Sequence, residues 1–100
     1  MPQDNDVWKW VLAVCKETAE SYGYDMIETP LIEETDLFRR SVGQDSDIVK
    51  KEMFSFDDQG GEHVTLRPEM TASIARAYIE HGLINQPKPV KLYQDGPCYR

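Results

Sequence analysis

The start of the chain carries apolar residues at the spacing of an amphipathic helix. Between positions 6 and 22 apolar and small residues recur at alternating steps of 3 and 1, which places them on one helix face. Asp6 stands where a helix N-cap is expected, and Gly23 stands where a helix would end. The stripe consists of Val7, Trp10, Val11, Val14, Cys15, Thr18, Ala19 and Tyr22. The pattern predicts a helix over 6–22 that lies on a sheet.

Further along the chain, strand signals alternate with helix signals. Pro30 ends the first strand because proline cannot donate to a β-ladder, and Gly82 ends the second long helix. The dipeptide Gly96-Pro97 predicts a bulge or bend in the last strand. The predicted elements are a strand over 24–30, a short helix over 36–43, a hairpin over 52–67, a helix up to 81 and a strand over 88–100.

This order of elements predicts an α+β fold with a mainly antiparallel sheet and flanking helices. The chain has 100 residues, of which 40% are hydrophobic and 29% charged, as in one globular domain or part of a larger one. Because the chain stops inside a predicted strand, we expect a fragment, or a strand completed by another chain. Val90 and Leu92 would then lack cover, so we expect the isolated chain to self-associate.

Charge and cysteine content restrict the class of partner. A net charge of -7 disfavours binding of nucleic acid or anionic membranes through the whole surface. Asp4 and Asp6 stand where a signal peptide would be basic, and no apolar run reaches the roughly 18 residues of a membrane span. Cys15 and Cys98, without a CxxC motif, are typical of a reducing compartment. We expect a cytoplasmic protein without a membrane partner.

The stretch TLRPEMTASIARAYIEHG, residues 65–82, sets an acid and a hydroxyl at a corner. If residues 67–71 stay extended, Glu69 and Thr71 project from one side and can bind a single ammonium group through charge-assisted hydrogen bonds. If the helix begins at once at Pro68, they point to different sides. In a purely structural alternative, Glu69 favours the helix N-terminus through the dipole and Thr71 caps it. The spacing alone leaves these possibilities open.

Four stretches resemble, in this order, the N-terminal catalytic region of the histidyl-tRNA synthetases, which are class II aminoacyl-tRNA synthetases. They are YGYDMIETPLIEETDLFRRSVG, DIVKKEMFSFDDQGG, TLRPEMTASIARAYIEHG and LYQDGPCYR. A single LRP run also occurs in other class II synthetases. The resemblance is specific because the four stretches occur together in this order. The resemblance implies that residues 1–100 are a partial catalytic domain. Residues from about 8 to 30 would be motif 1, the homodimer interface, and residues from about 90 to 100 the start of motif 2.

The resemblance also implies the site residues and the reaction. Glu69, Met70 and Thr71 would line the histidine site near the α-amino group, which favours the extended geometry of residues 67–71. Arg100 would be the catalytic arginine that holds the ATP α-phosphate and the histidine carboxylate. The parent enzyme would use ATP with Mg²⁺ as substrate, form histidyl-adenylate and charge tRNA(His). No bound cofactor or metal is expected in the chain itself. Because the rest of motif 2 and motif 3 are missing from it, we expect the isolated chain to be inactive.

Two alternatives from other functional classes remain at the level of sequence. One is the synthetase-like regulatory subunit of ATP phosphoribosyltransferase in histidine biosynthesis. The runs RPEMT and IAR are similar to that protein, while YIEHG favours the synthetase. The other is a stand-alone dimerisation module.

The remaining polar residues favour surface roles. His63 and His81 have no metal-ligand partners at a usable spacing. Arg76 and Glu80 stand four residues apart and are expected to pair on one helix. Charged pairs expected to face solvent are Glu33-Glu34, Arg39-Arg40, Lys50-Lys51 and Asp57-Asp58.

Overall fold

The computed structural model describes residues 1–43 and 52–100. Its helices and strands, in chain order, are α1 (Pro2–Ser21), β1 (Asp25–Met26), β2 (Ile32–Glu34), α2 (Thr35–Val42), β3 (Phe54–Asp57), β4 (His63–Leu66), α3 (Thr71–Glu80), a 3₁₀-helix (Leu83–Asn85) and β5 (Leu92–Tyr93). The mixture of helices with a three-stranded antiparallel sheet confirms the predicted α+β class. Within the described residues, no helix is long and apolar enough to cross a membrane.

The chain divides into two compact units, each formed from two segments. The first unit comprises Met1–Ile27 and Pro87–Asp95. The second unit comprises Glu28–Gln86 and Gly96–Arg100, and therefore contains the sheet, α2, α3 and every predicted site residue.

In the first unit, α1 begins earlier than predicted. Met1 occupies the N-cap and Pro2 the first turn, where a missing N–H costs nothing, so the prediction of Asp6 as the cap is wrong. Gly23 follows the C-cap residue with φ +79°, which confirms the predicted stop. None of the residues of α1, all of which the structure describes, is buried. The expectation that this helix lies on a sheet is therefore not met within the first unit.

The two predicted strands of the first unit are much shorter in the structure. β1 and β5 form a two-residue parallel pair, with Asp25 opposite Leu92. The regions predicted as strands at 24–30 and 88–100 are otherwise irregular. Pro30 and Pro97 lack the N–H that a ladder needs, which limits pairing in both regions.

In the second unit, the strand order is β2-β4-β3 and both pairings are antiparallel. The predicted hairpin is confirmed, with Asp57 opposite His63, but β2 was not predicted. Packing of α2 on β2 and β4, and of α3 on α2, covers one apolar cluster. Its buried members are Phe38, Val64, Ala72 and Ala77.

Three hydroxyl groups form a hydrogen-bonded row that begins at two buried threonines and ends at the exposed Ser55. Thr65 Oγ1 lies 2.7 Å from Thr35 Oγ1 and 2.7 Å from Ser55 Oγ. Both threonines are buried, and each hydroxyl can donate one hydrogen bond and accept another. The two buried threonine hydroxyls thus have hydrogen-bond partners, one of them the exposed Ser55, so neither carries the desolvation penalty of an unpaired group.

Turn and helix ends in the second unit follow the predicted signals. Asp58 Oδ1 accepts a hydrogen bond from the Glu62 N–H at 2.9 Å, which closes the hairpin turn. α2 ends at Gly43, with φ +95°, and α3 ends before Gly82, which is left-handed with φ +64°. These positions confirm the predicted ends of both helices.

One surface prediction is wrong. Glu33 is 6% exposed and forms an ion pair with Arg76 Nη1. Arg76 Nε also lies 3.7 Å from Glu80 Oε2, which confirms the predicted pair on α3. Asp57 and Asp58 are exposed as expected, whereas Lys50-Lys51 lies outside the described residues.

Candidate active site

The corner that carries Glu69 folds differently from the extended geometry. α3 begins at Thr71, and Met70 is its N-cap with near-helical angles, φ -105° and ψ -18°. Thr71 is therefore the first helical residue, so the extended geometry favoured by the resemblance is wrong, and Thr71 does not cap the helix. The cap is the side chain of Glu69, whose Oε2 accepts the Thr71 N–H at 2.5 Å and whose Oε1 accepts the Ala72 N–H at 3.1 Å.

This capping fixes the orientation of the Glu69 carboxylate. Two backbone N–H groups that α3 leaves without intrahelical partners are satisfied by it. A carboxylate has about four lone-pair positions, so acceptor capacity remains for a further donor such as an ammonium group. Glu69 and Met70 are half-buried and Thr71 is exposed, which leaves the corner accessible to a small ligand.

Arg67, just before this corner, joins three separate segments. Its side chain is almost completely buried, and Arg67 as a whole is 3% exposed. Nε donates to the carbonyl oxygen of Pro97 at 2.9 Å, and Nη1 donates to that of Thr29 at 3.1 Å. The Arg67 carbonyl oxygen accepts the Tyr99 N–H at 2.9 Å. Both the side chain and the backbone of Arg67 therefore hold the segment 96–100.

Gly96 makes this close approach possible. Its φ is +149°, and a Cβ at this position would lie only 2.6 Å from Arg67 Nη2. The same Cβ would lie 3.8 Å from Met70 Cε, so the Met70 side chain also reaches Gly96. The approach of Arg67 Nη2 therefore requires a residue without a side chain here, whereas the distance to Met70 Cε is an ordinary van der Waals contact.

Arg100 lies one residue beyond the contact between Arg67 and Tyr99. Its neighbour Tyr99 is held by the backbone of Arg67, and Arg100 itself is exposed. The structure thus connects the segment that bears Glu69, Met70 and Thr71 with the segment that bears Arg100. The sequence did not identify Arg67 as the connecting residue, and the only signals for it were the LRP run and Gly96-Pro97.

A separate cavity of about 430 Å³ lies elsewhere in the second unit. Glu33, Arg76 and Glu80 line it together with residues of β2, α2 and β4, and none of the predicted site residues does. Its charged groups include the ion pairs of Arg76 described above. Across residues 1–43 and 52–100, no three metal-ligating side chains are grouped, and His63 Nδ1 lies 2.9 Å from Asp57 Oδ1.

Comparison with known proteins identifies the family. A family model described as histidyl-tRNA synthetase matches residues 1–100. The chain belongs to the histidyl-tRNA synthetase family. The resemblance stated from the sequence motifs is thereby confirmed.

Two relatives are similar over the whole chain. The histidine–tRNA ligase of Syntrophomonas wolfei is 50% identical over 100 residues, which are 100% of this chain and 24% of the relative. Histidine–tRNA ligase 1 of Shouchella clausii is 48% identical over 101 residues, again 100% of this chain and 24% of the relative. The chain therefore spans about a quarter of the length of these synthetases.

Solved structures of synthetases share the fold. Apo histidyl-tRNA synthetase of S. aureus has a TM-score of 0.84 at 39% identity, covering 100% of this chain and 26% of that one. A protein from Bacillus halodurans, described as an ATP phosphoribosyltransferase regulatory subunit/histidyl-tRNA synthetase, has a TM-score of 0.82 at 34% identity. It covers 100% of this chain and 25% of that one. The regulatory alternative is not favoured over the synthetase by these matches.

Proposed function

We propose that the complete gene product carrying this chain is a class II histidine–tRNA ligase. It activates histidine with ATP, which binds with Mg²⁺ as substrate, and transfers the histidyl group to tRNA(His). Family membership over residues 1–100 carries this proposal, and the relatives that are about half identical are histidine–tRNA ligases. Residues from about 90 to 100 are assigned to the start of motif 2.

In this proposal, the Glu69 carboxylate binds the α-ammonium group of histidine, and Thr71, whose N–H donates to the same carboxylate, lines the site beside it. The Glu69 carboxylate is already oriented by the N–H groups of Thr71 and Ala72, so little reorganisation is needed when the ligand binds. Met70 forms the wall of the site next to them. Charge-assisted hydrogen bonds of this type contribute about 1.5 to 3 kcal/mol each.

Arg100 supports the chemical step. An oxygen of the histidine carboxylate attacks the α-phosphorus of ATP, and the bond from that phosphorus to the pyrophosphate oxygen breaks. Pyrophosphate leaves with the bonding electron pair, and histidyl-adenylate remains. The guanidinium of Arg100 contacts both the carboxylate and the α-phosphate and neutralises charge that gathers between them. A terminal hydroxyl of tRNA(His) then takes the histidyl group and releases AMP.

We also propose that residues from about 8 to 30 form a homodimer interface and that the protein is cytoplasmic. The apolar stripe of α1 supports this proposal because Val7 is 62% and Trp10 67% exposed. Monomeric proteins seldom leave such a contiguous apolar patch in water.

The test of the ammonium site is Glu69→Gln in the complete gene product. Glutamine keeps a carbonyl oxygen that can cap α3 but loses the charge that attracts an ammonium group. In histidine-dependent ATP–pyrophosphate exchange, the KM for histidine should rise about 10- to 100-fold, and the KM for ATP by less than about 3-fold.

The matched control is Glu80→Gln in the last turn of the same helix, which should leave both KM values unchanged. Equal losses for histidine and ATP, or no loss for either, would refute the assignment of Glu69. Absence of exchange in the unmodified protein would refute the ligase proposal and favour the regulatory or dimerisation alternatives.

A further inference from the structure

We propose that Arg67 and Gly96 form a clamp that positions Arg100 relative to Glu69 during histidine activation. Arg67 is in this view a positioning residue, because it acts through the segments that it joins. The inference rests on the proposed ligase function for its catalytic part. Its structural part rests only on the contacts of Arg67.

The contacts of Arg67 reach beyond the corner itself. Pro68 already biases Arg67 towards extended backbone, and Glu69 already caps α3. The guanidinium nevertheless spans from Thr29 to Pro97, residues that are 38 and 30 positions away from Arg67 in the chain. One buried cation thus holds the corner against the segment that ends in Arg100.

Carbonyl groups are the main acceptors of this buried guanidinium, with Thr29 Oγ1 at 3.4 Å as a further contact. Carbonyl oxygens are fixed by the backbone, so the bonds fix backbone positions as well as a side chain. Arginine suits this arrangement because its donors lie in a rigid planar fork. Lysine has one ammonium group on a flexible stem and cannot bridge the same two acceptors in the same way.

Gly96 is the complementary half of the clamp. The absent side chain leaves the space that Arg67 Nη2 occupies, and a Cβ would lie 2.6 Å from that atom. A side chain at position 96 must therefore displace the guanidinium or the segment that leads to Arg100. Since φ at this residue is +149°, alanine there is also strained in the backbone.

The expected consequence is a loss in kcat with little change in substrate affinity. The ammonium site and Arg100 can each still bind their own groups when the clamp loosens. The reaction, however, requires the carboxylate and the α-phosphate in one geometry, and a displacement of about 1 Å costs about 100-fold in rate.

The test uses Arg67→Lys and Gly96→Ala in the complete gene product. Each change should lower kcat of ATP–pyrophosphate exchange about 10- to 100-fold, with both KM values within about 3-fold. In the double variant, the methyl group added at position 96 meets a side chain without the guanidinium, so the added loss should be smaller than in the unmodified background. Full additivity of the two losses, or a rise in KM for one substrate alone, would overturn the proposal.

Arg76→Lys provides the matched control, because it also shortens a partly buried arginine of the second unit but lies outside the clamp. Its kcat should remain within about 2-fold when the fall in melting temperature is the same. An equal kcat loss in this control would mean that general destabilisation explains the effect and would overturn the positioning role.

Deuterium uptake by the peptide containing residues 96–100 tests the clamp without any activity. Uptake at the Tyr99 amide should become faster in Arg67→Lys and Gly96→Ala but not in Arg76→Lys. Unchanged uptake in the first two variants would overturn the clamp. If the unmodified protein lacked exchange activity, the ligase proposal and the catalytic role of the clamp would fail together. The uptake result would still show whether Arg67 and Gly96 hold the segment 96–100 in place.

Discussion

The two units of the chain differ in how far their apolar side chains are buried. In the first unit, α1 has no buried residue, and Trp10 is 67% exposed. In the second unit, Phe38 of α2 is 0% exposed and packs within a cluster that includes Val64, Ala72 and Ala77. Both helices were predicted from the sequence, α1 from its apolar periodicity. Periodicity therefore identifies a helix and its apolar face, but it does not tell whether the same unit covers that face.

A second difference lies in the polar groups. The second unit buries the hydroxyls of Thr35 and Thr65, an arginine and a glutamate, and pairs them internally. In the first unit, Lys91 bonds to the Tyr22 carbonyl oxygen at 3.1 Å, and Tyr93 bonds to Glu20 at 3.3 Å, both at exposed positions. Bonds at exposed positions contribute little because water competes for the same groups. The second unit is thus the one whose own contacts specify its structure, and it carries the predicted site.

The largest expected effect is that of Phe38→Ala in the second unit. Removal of a completely buried aromatic ring leaves a cavity and should lower the free energy of unfolding by about 3 to 5 kcal/mol. Trp10→Ala at low protein concentration should change it by less than about 0.5 kcal/mol, since the ring is exposed. Urea unfolding followed by far-UV circular dichroism measures both values.

Comparable losses for the two variants at every protein concentration would contradict this difference between the units. A cost of Trp10→Ala that grows with concentration would instead indicate that a second copy covers α1.

An intermediate effect is expected at the charged groups around Arg76. Glu33→Gln removes the charge of a buried partner and should cost about 1 to 3 kcal/mol of unfolding free energy. Glu80→Gln removes an exposed partner of the same arginine and should cost less than about 0.5 kcal/mol. The same urea measurement applies, and equal costs would show that burial does not govern the Glu33 pair.

The smallest effect concerns the pH dependence of the first unit. Partial desolvation, followed by the nearby charge of Glu20, its hydrogen bond and Asp95, raises the pKa of Tyr93 from its usual value of 10.0. The protonated phenol is thus favoured by folding, and its contribution is fully present below the unfolded pKa. That contribution disappears as the pH rises through the folded pKa.

The unmodified protein should therefore lose unfolding free energy more steeply above about pH 10 than Tyr93→Phe does. Below that pH the difference between the two proteins should stay constant. Urea titrations at a series of pH values between about 8 and 11 measure it. Parallel curves across the whole range would show that Tyr93 does not contribute to the pH dependence of the unfolding free energy.

Elements with local signals could be predicted from the sequence. Gly43 and Gly82 mark helix ends, and the acidic, glycine-containing turn marks the hairpin, because these signals lie within a few residues of the structure that they specify. The strand β2 gave no such signal. It has three residues, two of them glutamates, and it exists because β4 pairs with it from far along the chain.

In the candidate site, too, features with a local sequence signal could be predicted and features that depend on remote residues could not. The motif and its resemblance drew attention to Glu69, Met70, Thr71 and Arg100, while the cap that Glu69 forms on α3 was left open. Arg67 could not be recognised because its partners Thr29 and Pro97 are remote in sequence. The burial of Glu33 likewise depends on Arg76 in a different element. Non-local pairing of polar groups is what the pattern of single residues cannot specify.

Exposure of α1 has an optical consequence. Both tryptophans of the chain, Trp8 and Trp10, lie on this helix, at 64% and 67% exposure. Intrinsic tryptophan fluorescence therefore originates entirely from α1 and from indole rings in contact with water. Any surface that covers the helix would shift this emission to shorter wavelength, so the chain contains its own spectroscopic indicator of assembly.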